Sequence, residues 1–295
     1  MYNILRYLVI LALIGTAAFW IVTRPAQVDE ARLDQFTPDA ERGETVFWAA
    51  GCAGCHAAPD AEDDERRVLS GGMAFPSPFG TFHAPNISPD SDHGIGDWSV
   101  TDLANAMLHG TSPGGAHYYP AFPYASYARA TLDDVADLHA YLMTLPESDT
   151  PDEAHDVGFP FNIRRSLGGW KMLFTHDDWI VPVTGETLER GRYLVEALGH
   201  CGECHTPRNA LGGLDYDRWL QGAPSPDGEG RVPAITPDKL DWSESDIAGY
   251  LATGFTPEYD AAGGHMTDVI KNLANLPEDD LSAIAAYLKE VPPGS

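Results

Sequence analysis

The 295-residue chain has four cysteines, and all of them fall in two copies of one pattern, Cys52-Ala53-Gly54-Cys55-His56 and Cys201-Gly202-Glu203-Cys204-His205. The spacing implies a chemistry. Two residues between the cysteines put both thiols on one helical turn, from which they can add to the two vinyl groups of a haem as thioethers. The adjacent histidine then presents a ring nitrogen to the iron. The pattern predicts two covalently attached haem c groups, held through Cys52, Cys55, Cys201 and Cys204, with His56 and His205 as iron ligands. A redox dithiol, a zinc site or a disulfide would use the cysteines, but none gives a reason for the same histidine twice.

The positioning elements are duplicated as well. Glu41-Arg42-Gly43 returns as Glu189-Arg190-Gly191, and Pro85-Asn86-Ile87-Ser88-Pro89-Asp90 as Pro233-Ala234-Ile235-Thr236-Pro237-Asp238. Asp97-Trp98-Ser99 returns as Asp241-Trp242-Ser243, and the helical patterns that follow end at Gly110 and Gly254. Two homologous units of about 110 residues follow from this. Helices are expected over about 41–50 and 189–198, leading into the cysteine motifs. Ser99-x-x-Asp102 and Ser243-x-x-Asp246 read as capping boxes, and Thr131 and Pro277 open the last helix of each unit. The Gly-, Pro- and Asp-rich stretches between read as loops. Trp98 and Trp242 read as packing residues at helix starts.

Eighteen basic against 44 acidic residues leave a formal charge of −26, which excludes a nucleic-acid binder for want of a basic footprint. Residues 4–22 are apolar apart from Arg6, long enough to cross a membrane. The rival is a cleaved signal peptide with a small-residue site at Thr16-Ala17-Ala18, yet the apolar run continues through Val22. The expectation is an uncleaved anchor in the bacterial inner membrane, with the acidic bulk in the periplasm. Asp60 to Glu65 reads as a solvated acidic loop, or as a docking site for a basic cytochrome.

The chain resembles class I cytochromes c in tandem. It resembles more closely the membrane-bound cytochrome c subunits of alcohol and gluconate dehydrogenases, through Phe79-Gly80-Thr81, Asn86 to Asp90, Gly94 to Trp98 and Tyr119-Pro120-Ala121-Phe122-Pro123-Tyr124. The implied fold is all-α: a transmembrane anchor at 4–22, cytochrome c domains at 36–146 and 184–293, and a linker at 147–183. The implied role is electron transfer from a dehydrogenase subunit to a soluble cytochrome c, a quinone or a terminal oxidase. In that family a methionine is the second axial ligand. Met266 fills the position in the second unit, whereas Phe122 stands there in the first and cannot ligate iron. His117, Met73 or an open position is expected at haem one. An open position would favour a dihaem enzyme, a peroxidase or a thiosulfate dehydrogenase-like protein. Met107 and Met143 read as core, His139 as surface, and His83 and His93 as solvated or hydrogen-bonded loop residues. The resemblance also implies proline carbonyls at Pro59 and Pro207 on the proximal histidines, and Arg208 and Asn209 near haem propionates. Arg164, Arg165 and Lys171 read either as covering propionates or as a solvated cluster.

Overall fold

The computed structural model describes residues 2–225 and 230–293. Helix α1 (Tyr2–Val22) has no buried residue, and its mean hydropathy reaches 2.1 over an 18-residue window. After it the chain builds one helical arrangement twice. The first runs α2 (Ala40–Ala49), α3 (Cys52–His56), a hairpin of β1 (Ala74–Ser77) and β2 (Gly80–His83), then α4 (Val100–His109), α5 (Tyr124–Tyr127) and α6 (Leu132–Leu142). Helix α7 (Leu167–Phe174) lies in the connecting segment. The second runs α8 (Glu186–Tyr193), α9 (Gly202–His205), β3 (Ala223–Pro224) paired with β4 (Arg231–Val232), α10 (Glu244–Thr253), α11 (Met266–Leu273) and α12 (Glu278–Glu290).

Local sequence explains most boundaries. Asp39 caps α2 through the Glu41 and Arg42 amides. The two capping boxes form as expected at Ser99/Asp102 and Ser243/Asp246, and each closes a helix N-terminus in both directions. Both helices stop at a left-handed glycine, Gly110 and Gly254. Trp98 and Trp242 pack against the core beside these starts.

In each arrangement the first and last helices cross at a glycine. A Cβ on Gly43 would stand 2.0 Å from the Asp137 carbonyl oxygen, and one on Gly191 would stand 2.0 Å from that of Ala283. The arginine before each glycine locks the crossing. Arg42 pairs with Asp137 at 2.7 and 3.0 Å, and Arg190 with Asp280 at 2.8 and 2.7 Å. Leu138, Leu142, Ile284 and Leu288 fill the core behind the crossings.

Two expectations are corrected here. The chain is mostly helical rather than all-α, because segments read as loops contain the two short hairpins. The first is extended by a bridge from Thr81 to Asp156 in the linker. The helix into the second cysteine motif begins earlier, at Glu186, and widens by one π-type turn over Leu194–Leu198, where the Gly199 amide reaches back to the Leu194 carbonyl at 2.7 Å.

Candidate functional site

Each Cys-x-x-Cys-His forms a single helical turn, α3 or α9. A residue with positive φ turns the chain into it, Gly51 at 69° and His200 at 39°. His56 Nδ1 lies 2.8 Å from the Pro85 carbonyl, and His205 Nδ1 lies 2.8 Å from that of Pro233. A carbonyl only accepts, so Nδ1 carries the proton and Nε2 keeps its lone pair. Neither Nε2 is hydrogen-bonded among the described residues. The histidine carbonyls are held alike, by the Gly71 amide at 2.7 Å and the Gly222 amide at 2.7 Å. Burial pushes both imidazoles below the ordinary histidine range, against the opposing pull of the proline carbonyl, and so keeps them neutral.

Burial also pushes Cys52 and Cys201 up to about 12 and Cys55 up to about 11, and it raises Cys204. Burial therefore disfavours the thiolate form of all four side chains. Two thiols on one turn, followed by a neutral imidazole with a free, oriented Nε2, fit a covalently held haem c. The carbonyl that fixes each ring belongs to the repeated Pro-x-Ile-Ser/Thr-Pro-Asp segment. This corrects the expectation for Pro59 and Pro207.

The two attachment segments abut each other. After burial itself, the Cys204 thiol is the next cause raising Cys55. Tyr127 Oη donates to the Ala50 carbonyl at 2.8 Å, and its ring meets the His200 ring edge-on at 5.6 Å between centres. Ser126 Oγ donates to Glu203 within α9 at 3.1 Å. From the other side, buried Arg66 donates to Asn272 at 2.9 Å and pairs with Asp268 at 3.3 Å, both on α11. Each attachment helix therefore packs beside a distal-loop helix of the other half. Tyr127, His200, Pro85 and Pro233 were not singled out from sequence; the repeated Pro-x-Ile segment was the available signal for the prolines.

The loops that carry Phe122 and Met266 are built in one register. Thr111 bridges His117 as Phe255 bridges Ala261. The Tyr118 amide donates to Gly110 at 2.7 Å, as the Ala262 amide does to Gly254 at 2.8 Å. The shared register sets Phe122 opposite Met266. Met266 is half-buried at the start of α11, and Phe122 packs against the rings of Tyr118 and Tyr127.

His117 does not take up the role expected for it. Its Nε2 is 2.8 Å from the Thr23 carbonyl and its Nδ1 is 3.0 Å from Lys171 Nζ. An imidazole with both nitrogens engaged has no lone pair left for iron. Met73 lies next to the segment that orients His56: its carbonyl accepts from Ala84, the residue before Pro85, at 2.9 Å. Met107 is core, as expected. Met143 is half-buried against it. His139 is not a surface residue: it is half-buried, with Nε2 2.9 Å from the Trp98 carbonyl. His83 lies beside Glu153 and His93 beside Asp90.

The basic linker residues hold backbone carbonyls and nearby side chains of the chain itself. Lys171 Nζ donates to the His109 and Gly110 carbonyls at 2.6 Å each, and burial pushes its ammonium down to about 7. Arg164 donates to the His117 carbonyl at 3.0 Å. Arg165 donates to Thr23 Oγ1 at 3.0 Å and to the Trp20 carbonyl, with its guanidinium 4.5 Å from the Trp20 ring centre. Arg208 is committed to Glu203 and the Gly212 carbonyl, and Asn209 Oδ1 to the Leu211 and Gly213 amides. The acidic loop is partly tied down, since Glu62 pairs with Lys271 at 2.8 Å and Asp64 with Arg67 at 3.1 Å.

Comparison with known proteins agrees with this chemistry. A cytochrome c family model matches residues 40–146. A dihaem c-type cytochrome of Cereibacter sphaeroides is 58% identical over 288 residues, 97% of this chain and 96% of that protein. The fructose dehydrogenase cytochrome subunit of Gluconobacter japonicus is 38% identical over 96% of this chain and 58% of its own length. The gluconate 2-dehydrogenase cytochrome c subunit of Pantoea cypripedii is 36% identical over 85% of this chain and 59% of its own length. The chain spans little more than half of these two dehydrogenase subunits.

Proposed function

The chain belongs to the dihaem c-type cytochrome family, and we propose that it holds one haem on each of its two attachment segments, in tandem domains at 36–146 and 184–293. The observation that carries this reading is the duplicated proximal geometry, with Nδ1 of His56 and of His205 each 2.8 Å from a proline carbonyl. Bound haem supplies one-electron exchange between ferric and ferrous iron. The protein contributes the rest. Cys52 and Cys55, and Cys201 and Cys204, anchor the two groups. Pro85 and Pro233 orient the ligating imidazoles and raise their basicity. Tyr127, His200 and Arg66 hold the two segments against each other. Met266 would hold the iron of haem two together with His205. At haem one Phe122 stands in its place and would offer no ligand, and His117 is committed to Thr23 and Lys171, so His56 would hold that iron with the position opposite left open.

The partner is a dehydrogenase subunit that donates electrons, by analogy with the relatives. The acceptor is a soluble cytochrome c, a quinone or a terminal oxidase. Helix α1 anchors the chain in the bacterial inner membrane with the haem domains in the periplasm, and Arg165 clamps its exit at Trp20 and Thr23. The open position at haem one also supports a second reading, a dihaem enzyme that binds a small substrate there. Intact-mass measurement of the membrane-extracted protein, matured by a c-type assembly system, tests the proposal. Two haem additions per chain are expected; one or none overturns it.

A further inference from the structure

The two distal loops share a register but differ in what covers them. In the first, Thr111, His117 and Tyr119 are buried, under Lys171, Arg164 and the end of α1. In the second, the equivalent Phe255 is 55% exposed, Ala261 is exposed, and glycines 263 and 264 face open space. Position 115 in the first loop is a glycine with φ 75°; its counterpart, Tyr259, has φ 67° and is 88% exposed. A left-handed tyrosine is strained where the repeat uses glycine, and this ring gains nothing from burial. Folding does not account for it, whereas a surface contact does.

The charges around the ring are one-sided. Glu258 and Asp260 flank Tyr259, both exposed, and neither forms an ion pair among the described residues. No lysine or arginine lies between Gly254 and Met266, on a chain of charge −26. The loop ends at Met266, so whatever docks on it approaches the second site.

Resting on the dihaem reading above, we propose that the loop from Gly254 to Met266 is the docking surface for a small basic electron-carrier protein, with Phe255 and Tyr259 as apolar anchors inside an acidic rim. In the docked complex one electron leaves the ferrous iron held by His205 and Met266 and reduces the ferric iron of the carrier. No bond forms or breaks and no proton moves. The apolar centre sets affinity and the rim sets encounter rate.

The test uses the full-length dihaem protein in detergent and a basic mitochondrial cytochrome c as the probe. Stopped-flow gives the second-order rate constant and calorimetry the Kd. Phe255→Thr with Tyr259→Gly installs the residues of the first loop, and Tyr259→Gly relieves backbone strain, so the fold is retained. This variant is expected to weaken binding and slow the reaction by about tenfold or more, the size of an anchor loss. Glu258→Lys with Asp260→Lys should slow the reaction by about tenfold at low salt, with the difference vanishing at high salt. Haem content and midpoint potentials should match wild type in both. Rate constants and Kd within about twofold of wild type, with both haems intact, overturn the docking surface. An unchanged carrier reaction with loss of dehydrogenase binding or of self-association overturns it too, by assigning the loop to another occupant. Absence of a second haem from the wild-type chain would instead defeat the dihaem reading.

Discussion

Replacing Gly43 or Gly191 with alanine tests the helix crossing that shapes each site. An added Cβ at Gly43 would lie 2.0 Å from the Asp137 oxygen, 2.6 Å from its carbonyl carbon and 2.9 Å from Tyr141 Cβ. At Gly191 the corresponding distances are 2.0, 2.7 and 2.7 Å, to Ala283 and to Tyr287 Cβ. Restoring an ordinary carbon–oxygen contact of about 3.3 Å moves the helices apart by more than about 1 Å. The obstructing atoms are backbone and cannot swing aside, so the overpacking cost sits at or above the upper end of the usual range, about 3 kcal/mol. Glycine to alanine in a helix otherwise stabilises by about 1 kcal/mol. The steric term wins by about 2 kcal/mol, which lowers the melting temperature of a unit this size by about 10 °C. Gly249→Ala is the control, because at that exposed position of α10 its Cβ meets nothing within 4 Å and should stabilise slightly. Calorimetric melting of the three variants gives the comparison. If Gly43→Ala and Gly191→Ala melt at or above wild type, as Gly249→Ala does, the close crossing is wrong.

Three further outcomes are expected. His117→Ala should leave the visible spectra of both haems unchanged while lowering the melting temperature, because the ring ties the loop to Thr23; loss or shift of a haem band would restore it as a ligand. The reduced protein should bind one carbon monoxide per chain, at haem one, because Phe122 offers no ligand; titration by absorbance finding none or two contradicts this. Burial holds Lys171 at about 7, whereas the unfolded chain keeps that proton to about 10.4. The unfolded state therefore binds the extra proton between these values, so stability rises with pH. Relative to Lys171→Met, wild type should gain melting temperature between about pH 7 and 10 and show its full penalty below 7; a difference that stays flat or falls would refute the buried ammonium.

Much of this architecture was legible because it rests on local side-chain chemistry. The capping boxes at Ser99 and Ser243, the stop glycines and the Cys-x-x-Cys-His turns are each encoded within a few residues. The repeat register carried Phe122 onto Met266, and the matched loop bridges agree with it. The misreadings share a cause. The proximal histidines, Lys171 and Arg165 all find backbone carbonyls far away in sequence, which leave no residue-type signature. The family resemblance points to Pro59 and Pro207, whereas the carbonyls that orient the histidines belong to the repeated segment at Pro85 and Pro233. The hairpin strands are only two to four residues long and sit among prolines and glycines that mask strand patterning. His117 stands in the right loop, and only the fold reveals that Thr23, just past α1, and Lys171 in the linker engage both of its nitrogens.

The central claim is that two haems with unequal distal sides sit on one chain. A potentiometric titration followed by visible spectroscopy, on wild type and Met266→Ala, tests it most directly. Two one-electron waves at distinct potentials are expected. The higher should belong to the methionine-ligated haem, and in Met266→Ala that wave alone should fall while the Met–iron band disappears. A single wave, or two waves that Met266→Ala leaves in place, would contradict the account.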